Sequence, residues 1–246
     1  MSGSWIILVI ILISSIPVIA VYIWFRAAKY QFKIVRFLFV LLAGAAAFIP
    51  ALILQDILTI PSLTQGRLAM LYEFFIRIAF TEEFSRLLMI IIFSLISNFV
   101  SKQSIDKTED GHGSVTFNSV KKGTAIGLVA GLGFALIESA RFASSSMDTG
   151  ILLLRIFSAF PLHAACGSRV GAAAVMFRSF PLQALLRVIT ATAIHGVYNF
   201  LLELPPGIPT IAAILIAVSA LVTAIISIRG VQFGDVEQKA VFEEEG

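Results

Sequence analysis

The chain has 246 residues, of which 58% are hydrophobic and only 13% are charged. Soluble domains usually carry about 25% charged residues, and the mean hydropathy here is +0.95. Several windows of about 20 residues are almost wholly apolar, which is long enough for a helix to cross a hydrocarbon core of about 30 Å. The composition therefore excludes a soluble globular domain, a disordered chain and a β-barrel. It predicts an all-α, polytopic transmembrane helix bundle.

The formal net charge of +3 does not indicate a nucleic-acid-binding protein. The lysines and arginines lie in short segments beside apolar spans, where membrane topology accounts for them. We therefore expect no nucleic-acid partner, and a lipid bilayer as the surroundings. Cys166 is the only cysteine, so neither an intramolecular disulfide nor a cysteine-rich metal site can form.

The apolar runs predict about seven membrane-spanning helices within one integral-membrane domain, residues 1–246. The predicted spans are 5–25, 34–54, 68–98, 123–143, 151–177, 182–203 and 208–228. The third run is about 30 residues long, which leaves room for an amphipathic turn around Glu73 and Arg77 before the span itself. Pro50 and Pro161 stand at or near predicted span ends or kinks, where a missing backbone donor is tolerated.

Counting lysines and arginines in alternate loops predicts the orientation of the chain. One set holds 11 of these residues, namely Arg26, Lys29, Lys33, Arg36, Lys102, Lys107, Lys121, Lys122, Arg178, Arg229 and Lys239. The other set holds only Arg67. We therefore expect the N-terminus outside and the C-terminus in the cytoplasm, with a flexible cytoplasmic loop at 101–122 and an acidic cytoplasmic tail at 229–246.

Several polar or ionisable side chains fall inside predicted spans, where each costs several kcal/mol unless it is paired or faces a polar cavity. They are Glu82, Glu83, Arg86, Glu138, Arg141, Arg155, His163, Arg169, Arg187, His195 and Asn199. Glu82 and Glu83 are adjacent and Arg86 lies one helical turn further on, so one guanidinium would face two carboxylates. Because one arginine cannot neutralise both, the second carboxylate is expected to be protonated, paired elsewhere or functional.

Glu138 and two histidines supply further groups at membrane depth. Glu138 is expected either to pair locally with Arg141 or to join a functional site. His163 and His195 stand on different predicted helices, and Asn199 follows His195 by one turn on the same face. At 1.5 Å per residue, Glu138 and His195 lie roughly 20 Å from the cytoplasmic ends of their spans. The groups can therefore meet in the middle to outer half of the bilayer.

The remaining polar residues are predicted to have structural roles. Arg155, Arg169 and Arg187 lie within about two turns of a span end, which predicts snorkelling to the headgroup region or pairing with glutamates rather than chemistry. Cys166 is expected to be a packing residue rather than a nucleophile. His112 stands between two glycines of the predicted loop and is expected to be solvated.

Carboxylates and imidazoles in a water-accessible pocket can activate water, as a general base alone or around a metal. The imidazole of His195 and the amide of Asn199 could hold a developing oxyanion, so the set suits hydrolysis of an amide within the membrane. The zinc-protease motif H-E-x-x-H is absent, and a metal would therefore be ligated by residues from separate helices. A serine or aspartate mechanism is disfavoured, because no G-x-S-x-G is present and no aspartate lies deep in a span.

Four short motifs occur in order on consecutive predicted helices between residues 82 and 199. They are E-E-x-x-R at Glu82 to Arg86, F-x-x-x-E at Phe134 to Glu138, the segment His163 to Gly167, and H-x-x-x-N at His195 to Asn199. Together they resemble the motif set of the PrsW family of intramembrane proteases, which is related to the CAAX prenyl endopeptidases. The latter have E-E-x-x-x-R and a histidine at the position of Glu138, so the PrsW pattern fits better.

The resemblance implies site-one cleavage of a membrane-anchored protein substrate, in the best-known case an anti-sigma factor, within a bacterial cytoplasmic membrane. The catalytic helices would lie within residues 68–203. Glu82 or Glu83 would be the general base that activates water, with Arg86 orienting the pair. The residues that would complete the water or metal site or steady the oxyanion are Glu138, His163, His195 and Asn199.

The resemblance leaves open whether the enzyme needs a metal. PrsW proteins are grouped with metalloproteases, whereas the related prenyl endopeptidases look like glutamate-dependent enzymes without an obvious metal. If the cofactor is Zn²⁺, the implied ligands are His163, His195 and Glu138.

Other functions could use the same buried groups. A proton- or ion-coupled transporter is one alternative, although carriers commonly have repeated halves with broken helices, and no such repeat is visible in this sequence. A CAAX-type prenyl-protein endopeptidase is a second alternative. A non-catalytic membrane protein that binds a partner helix through this site is a third.

Overall fold

Helices form most of the chain, as the composition predicts. The computed structural model describes residues 3–30, 32–60, 66–97, 106–107, 113–114, 117–146, 149–231 and 233. Its helices are α1 (Gly3–Ala27), α2 (Ile34–Ala46), α3 (Phe48–Ile57), α4 (Arg67–Leu71), a π-helix (Tyr72–Phe80), α5 (Thr81–Ser97), α6 (Phe117–Ser146), α7 (Thr149–Phe157), α8 (Ala159–Met176), α9 (Pro181–Glu203) and α10 (Ile208–Ser227). Two short strands, β1 (Asp106–Lys107) and β2 (Gly113–Ser114), pair antiparallel.

The helices pack into a transmembrane bundle, which confirms the predicted fold class. Within the described ranges, four stretches are long and apolar enough to cross a membrane, namely Ile34–Ile57, Phe117–Ala143, Pro181–Glu203 and Ile208–Ser227. A shorter apolar helix covers Leu12–Ala27. Helices satisfy their own backbone hydrogen bonds, which is why they can occupy a medium without water.

Helix α6 lies at the centre of this bundle and packs most closely against α8. In α6, 78% of the most apolar stretch is buried, against 33% or less in the other three candidate spans. A Cβ atom added at Gly131 would overlap the backbone carbonyl of His163, and one added at Gly127 would overlap that of Gly167. Glycine at these positions lets the two backbones approach closely, as small residues do in membrane helix pairs.

The predicted span 151–177 is divided into two helices rather than being one kinked span. Helix α7 ends at Phe157 and α8 begins at Ala159, with the Ser158 carbonyl accepting a hydrogen bond of 3.0 Å from the Leu162 amide. Pro161 stands in the first turn of α8, where its missing N–H would have had no acceptor within the helix. The break brings His163 to the beginning of a new helix.

The predicted span 68–98 is a continuous helical run that changes its hydrogen-bonding pattern along its length. The π-helix Tyr72–Phe80 separates α4 from α5. π-Helical turns use i→i+5 bonds, are rare, and are frequent at functional sites. The Thr81 hydroxyl donates to the carbonyls of Arg77 at 2.6 Å and Ile78 at 2.9 Å, where the pattern returns to α. The pair Glu82 and Glu83 follows this junction directly.

The predicted flexible loop differs from the structure at its C-terminal end. Helix α6 begins at Phe117, so residues 117–122 are helical. The Lys121 ammonium donates a hydrogen bond of 2.6 Å to the carbonyl of Arg229, which joins this end of α6 to the segment after α10. The rest of the predicted loop apart from β1 and β2, including His112, lies outside the described residues, as does most of the predicted acidic tail.

Candidate active site

Glu82 and Glu83 lie side by side at the beginning of α5 but have different surroundings. Both are buried, with 4% and 0% of their surface exposed. The Arg86 Nη2 donates to Glu83 Oε1 at 2.6 Å, whereas Glu82 Oε2 lies 3.9 Å from the same nitrogen. The structure thus brings Arg86 to both carboxylates, as the helical spacing predicts, but it hydrogen bonds to only one of them.

Arg86 joins α5 to α8 and α6. Its guanidinium donates to the backbone carbonyl of His163 at 3.3 Å and lies 3.3 Å from the Nδ1 of that imidazole. Its Cζ is 4.7 Å from the centre of the Phe134 ring, an arrangement in which the ring face attracts the cation. Phe134 also contacts His163, with 5.2 Å between ring centres. The phenylalanine of the F-x-x-x-E motif therefore packs beneath the polar groups of the site.

Glu138 joins the site through His163 and not through the local pair considered from the sequence. The His163 Nε2 and Glu138 Oε2 are 2.7 Å apart. Arg155 on α7 forms the ion pair with this carboxylate and also donates to the Ser139 hydroxyl at 3.0 Å. The Arg141 guanidinium instead lies 5.8 Å from the centre of the Phe48 ring. Of the two predicted roles for Arg155, the structure supports pairing with a glutamate.

His195 meets Glu83 and His163 at the centre of the bundle. Its Nδ1 is 2.8 Å from Glu83 Oε1, its Nε2 is 3.7 Å from Glu82 Oε2, and its ring centre is 5.0 Å from that of His163. Asn199 lies one turn further along α9, is half-buried, and makes no side-chain hydrogen bond with the described part of the chain.

Sequence reasoning missed Gln55 as a member of the site. Its amide Nε2 on α3 donates to Glu82 Oε1 at 3.2 Å, and its backbone carbonyl accepts from Arg77 Nη1 at 3.2 Å. Arg77 is in turn paired with Glu73, the other polar group predicted for this part of the helical run. The available signal was the position of Gln55, a polar residue directly after the largely apolar predicted span 34–54. The contact itself crosses 27 residues of sequence, so periodicity could not predict it.

Cys166 lies near these groups but is not one of them. It is fully buried, and its thiol donates a weak hydrogen bond of 3.5 Å to the Ala191 carbonyl. It therefore packs α8 against α9, in agreement with its predicted role.

Three side chains of the site have the composition and proximity of a metal-binding set. One donor atom from each of Glu82, His163 and His195 lies within 4.8 Å of the other two, and all three residues are buried. Glu82 Oε2 has no hydrogen-bond partner among the described residues. Metal-bound histidines commonly place their other ring nitrogen on a carboxylate, and here each imidazole contacts one, Glu138 or Glu83. The residue types and their spacing thus fit a divalent metal, which at His163 would require Arg86 to move away from the Nδ1 that it now faces at 3.3 Å.

This set differs in one member from the ligands expected from the sequence. Glu82 takes the place of Glu138, whose carboxylate contacts His163 and Arg155 instead. Three carboxylates and two arginines leave one negative charge when both imidazoles are neutral. A buried site with such an excess favours a bound cation or a retained proton.

A buried cluster of carboxylates and imidazoles in a helical membrane bundle suits a membrane-embedded hydrolase, and an ion-coupled transporter could use the same groups. The sequence model of the family described as PrsW family intramembrane metalloprotease matches residues 34–226, more than half of the chain. The chain therefore belongs to the PrsW family and is an intramembrane peptidase, as its motifs indicate. No curated protein and no solved structure matches it.

Proposed function

We propose that this peptidase cleaves a single-pass membrane protein close to the extracytoplasmic face, as the first cut in the release of an anti-sigma-factor-like substrate. Depth along the helices supports this position. Glu138 and His195 each lie eight residues before the ends of α6 and α9, at Ser146 and Glu203, or about 12 Å. Loop charges assign these ends to the outside.

The observation that carries the catalytic assignment is the incomplete pairing of Glu82. Glu83 and Glu138 each contact both an arginine and an imidazole at hydrogen-bond distance. Among the described residues, Glu82 accepts one hydrogen bond, from the neutral amide of Gln55, and its Oε2 lies 3.7 Å from His195 Nε2 and 3.9 Å from Arg86 Nη2 without bonding to either. A carboxylate that is buried but not neutralised is suited to accept a proton.

In this proposal Glu82 is the general base. Its Oε2 takes a proton from water while the water oxygen adds to the carbonyl carbon of the scissile bond. The carbon–nitrogen bond then breaks, and the same carboxyl group returns the proton to the leaving nitrogen. The net reaction adds one water across one peptide bond, and Glu82 ends in its starting state.

The neighbouring groups orient this base and stabilise the developing charge. Arg86 and Glu83 hold one another and fix His195 beside Glu82. The unoccupied amide of Asn199, one turn from His195, can donate to the carbonyl oxygen as it becomes negative. Donors placed in advance in a dry site are worth several kcal/mol of transition-state stabilisation.

If a metal is bound, Glu82, His163 and His195 would hold it, with Glu138 and Glu83 orienting the two imidazoles, and Glu82 would then be a ligand in place of the free base. A bound Zn²⁺ would polarise the carbonyl group and make water more acidic. The water and the carbonyl group would then be held together by the site of Glu82, His163 and His195. Arg86 would keep Glu83 paired, so that Glu83 does not compete as a ligand.

The proposed function is tested by comparing membranes of cells that produce the wild-type chain, Glu82→Gln or Glu203→Gln. Glu82→Gln keeps the size of the side chain but removes the base, whereas Glu203 is exposed at the end of α9 and serves as the matched control. Mass spectrometry of membrane and released fractions should show a single-pass protein that loses its extracytoplasmic domain only with the wild type and the control. Equal amounts of all three enzymes with no difference in any membrane protein would refute the proposal.

A further inference from the structure

A second polar site lies away from the catalytic groups, at the other end of α8 and α9. A pocket of about 360 Å³ is lined by Arg169 and Met176 of α8 and by Gln183, Leu186, Arg187 and Thr190 of α9. Leu186 and Thr190 are exposed on the outer face of the bundle. The pocket therefore opens sideways, toward the lipid.

Neither arginine of this pocket pairs with a carboxylate of the residues that the structure describes. Arg169 donates to the carbonyl of Ala165 at 2.9 Å and to the hydroxyl of Thr223 at 2.9 Å. Arg187 makes no side-chain hydrogen bond within the described part of the chain. Helices α8, α9 and α10 contain a single acidic residue, Glu203, which lies sixteen residues, or about 24 Å, along α9 from Arg187.

The depth of these arginines matches that of a lipid headgroup. Arg169 lies seven residues before the end of α8, and Arg187 lies six residues after the beginning of α9. Each is thus about 10 Å from the turn between the two helices. The long side chain of Arg187 can reach toward the interface, whereas the guanidinium of Arg169 is held by Ala165 and Thr223. Beside Arg187, the outer face of α9 exposes the apolar side chains of Leu182, Leu185, Leu186 and Ile189.

We propose that this pocket binds an anionic phospholipid, with its phosphate between Arg169 and Arg187 and its acyl chains along the exposed face of α9. Arginine is suited to phosphate because its guanidinium donates two parallel hydrogen bonds. Basic pockets between membrane helices bind anionic headgroups in this way. A zwitterionic lipid fits less well, because its ammonium group would find no carboxylate here.

Native mass spectrometry of the purified full-length chain tests this site with phosphatidylglycerol, phosphatidylcholine and inorganic phosphate as probes. The wild type should retain one phosphatidylglycerol molecule that phosphatidylcholine does not displace. Arg187→Gln should weaken this binding on the order of fivefold, the contribution of one interfacial arginine. Arg178→Gln, in the exposed turn between the helices, is the matched control and should bind as the wild type does.

Three results would overturn the proposal: equal retention of the two lipids, wild-type retention of phosphatidylglycerol by Arg187→Gln, or displacement of the lipid by millimolar inorganic phosphate. The last result would indicate a site for free phosphate instead. Arg187 is the deciding position because it bridges no helices, whereas Arg169 joins α8 to α10 through Thr223. Arg169→Gln serves as a second variant. A loss of bound phosphatidylglycerol from this variant, if it is correctly folded, would confirm the proposed site.

Discussion

Glu82 and Glu83 are neighbours in the sequence, yet their side chains leave α5 about 100° apart and meet different partners. Glu83 is held by Arg86 and His195, whereas Glu82 is bonded only to Gln55. The proposed distinction between a supporting and a reacting carboxylate therefore rests on the different partners of the two side chains. Sequence alone left the choice between them open.

Activity is predicted to fall as the pH is lowered, because a protonated Glu82 cannot accept a proton from water. The sign follows from the role: the carboxylate form is active, so activity is full above its pKa and is lost below it. The measurement is kcat/KM against pH in liposomes, with chemistry shown to be the slow step. Residual activity of Glu82→Gln should lack this acidic limb. If the loss of activity at low pH were unchanged in that variant, a group other than Glu82 would be responsible for it.

Replacing Gln55 by leucine is predicted to lower kcat about tenfold and to leave KM within about twofold. The variant removes the one hydrogen bond that Glu82 accepts from the described residues while keeping a side chain of similar size, so the proposed base is present but less well positioned. Gln183→Leu makes the same change at an exposed position near the beginning of α9, away from Glu82, and as the control it should keep the wild-type kcat. An equal change of kcat and KM in Gln55→Leu, or none in either, would contradict a positioning role.

Metal content should distinguish Glu82 from Glu138 as a ligand. If Glu82, His163 and His195 hold the ion, Glu82→Ala and His195→Ala should reduce the bound metal more than tenfold. Glu138→Gln, which alters the partner of His163 and of Arg155 but no proposed ligand, should bind one ion at saturation with weaker affinity. Elemental analysis of purified protein after dialysis against zinc provides the measurement. Stoichiometric metal in Glu82→Ala with none in Glu138→Gln would favour the ligand set implied by the motifs.

At the scale of the elements, the contact of α6 with α8 determines whether the site assembles. Glu138 and Phe134 come from α6 and His163 from α8, and their helices meet backbone to backbone at glycine positions. Because the His163 carbonyl is itself at that contact, any separation of the helices moves the imidazole directly.

Gly131→Ala is therefore predicted to inactivate the enzyme without changing any polar group. The new methyl group would overlap the His163 carbonyl, and overpacking of this kind costs about 1–3 kcal/mol or forces the helices apart. The unfolding temperature and the proteolytic activity of this variant should both fall, whereas Ser145→Ala on the exposed side of α6 should change neither. A fully active, equally stable Gly131→Ala would show that the helix contact is looser than described.

The sequence predicted the helices that are defined by the length of an apolar run better than it predicted breaks within such a run. The spans 34–54, 123–143, 182–203 and 208–228 correspond to candidate spans of the structure, because about 20 apolar residues have few other stable arrangements. The break at Ser158 could not be predicted, since a proline near a span end is compatible with a kink and with a new helix. The π-helix has no periodic signature of its own in the sequence.

At the scale of the whole molecule, the site consists of contacts between distant segments. The motif residues could be selected from the sequence because ionisable groups are costly in a membrane. Arg155 was selected on the same ground, but its pairing with Glu138 in particular could not be predicted, nor could the contact of Gln55 with Glu82, because these depend on how α7 and α3 pack. Local periodicity carries no information about such packing.

The orientation of the bundle is predicted to place the turn after α9 outside and the turn after α8 in the cytoplasm. Cys166 is the only cysteine, so a Cys166→Ala background allows single cysteines to be introduced at Pro206 and Ser179, both in exposed turns. A membrane-impermeant maleimide should label Pro206→Cys in intact cells and Ser179→Cys only after lysis. The reverse pattern would place the site in the cytoplasmic half and exclude extracytoplasmic cleavage.

The charged groups of α5 also affect how the protein is made. An arginine or acidic residue at the centre of a helix opposes membrane insertion by about 2.5–3.5 kcal/mol, and α5 carries Glu82, Glu83 and Arg86 close together. This helix is therefore a poor insertion signal by itself, although it supplies the base. Its polar partners His163 and His195 are synthesised about 80 to 110 residues later. Stable membrane integration of the catalytic helix must therefore wait until α8 and α9 have left the ribosome.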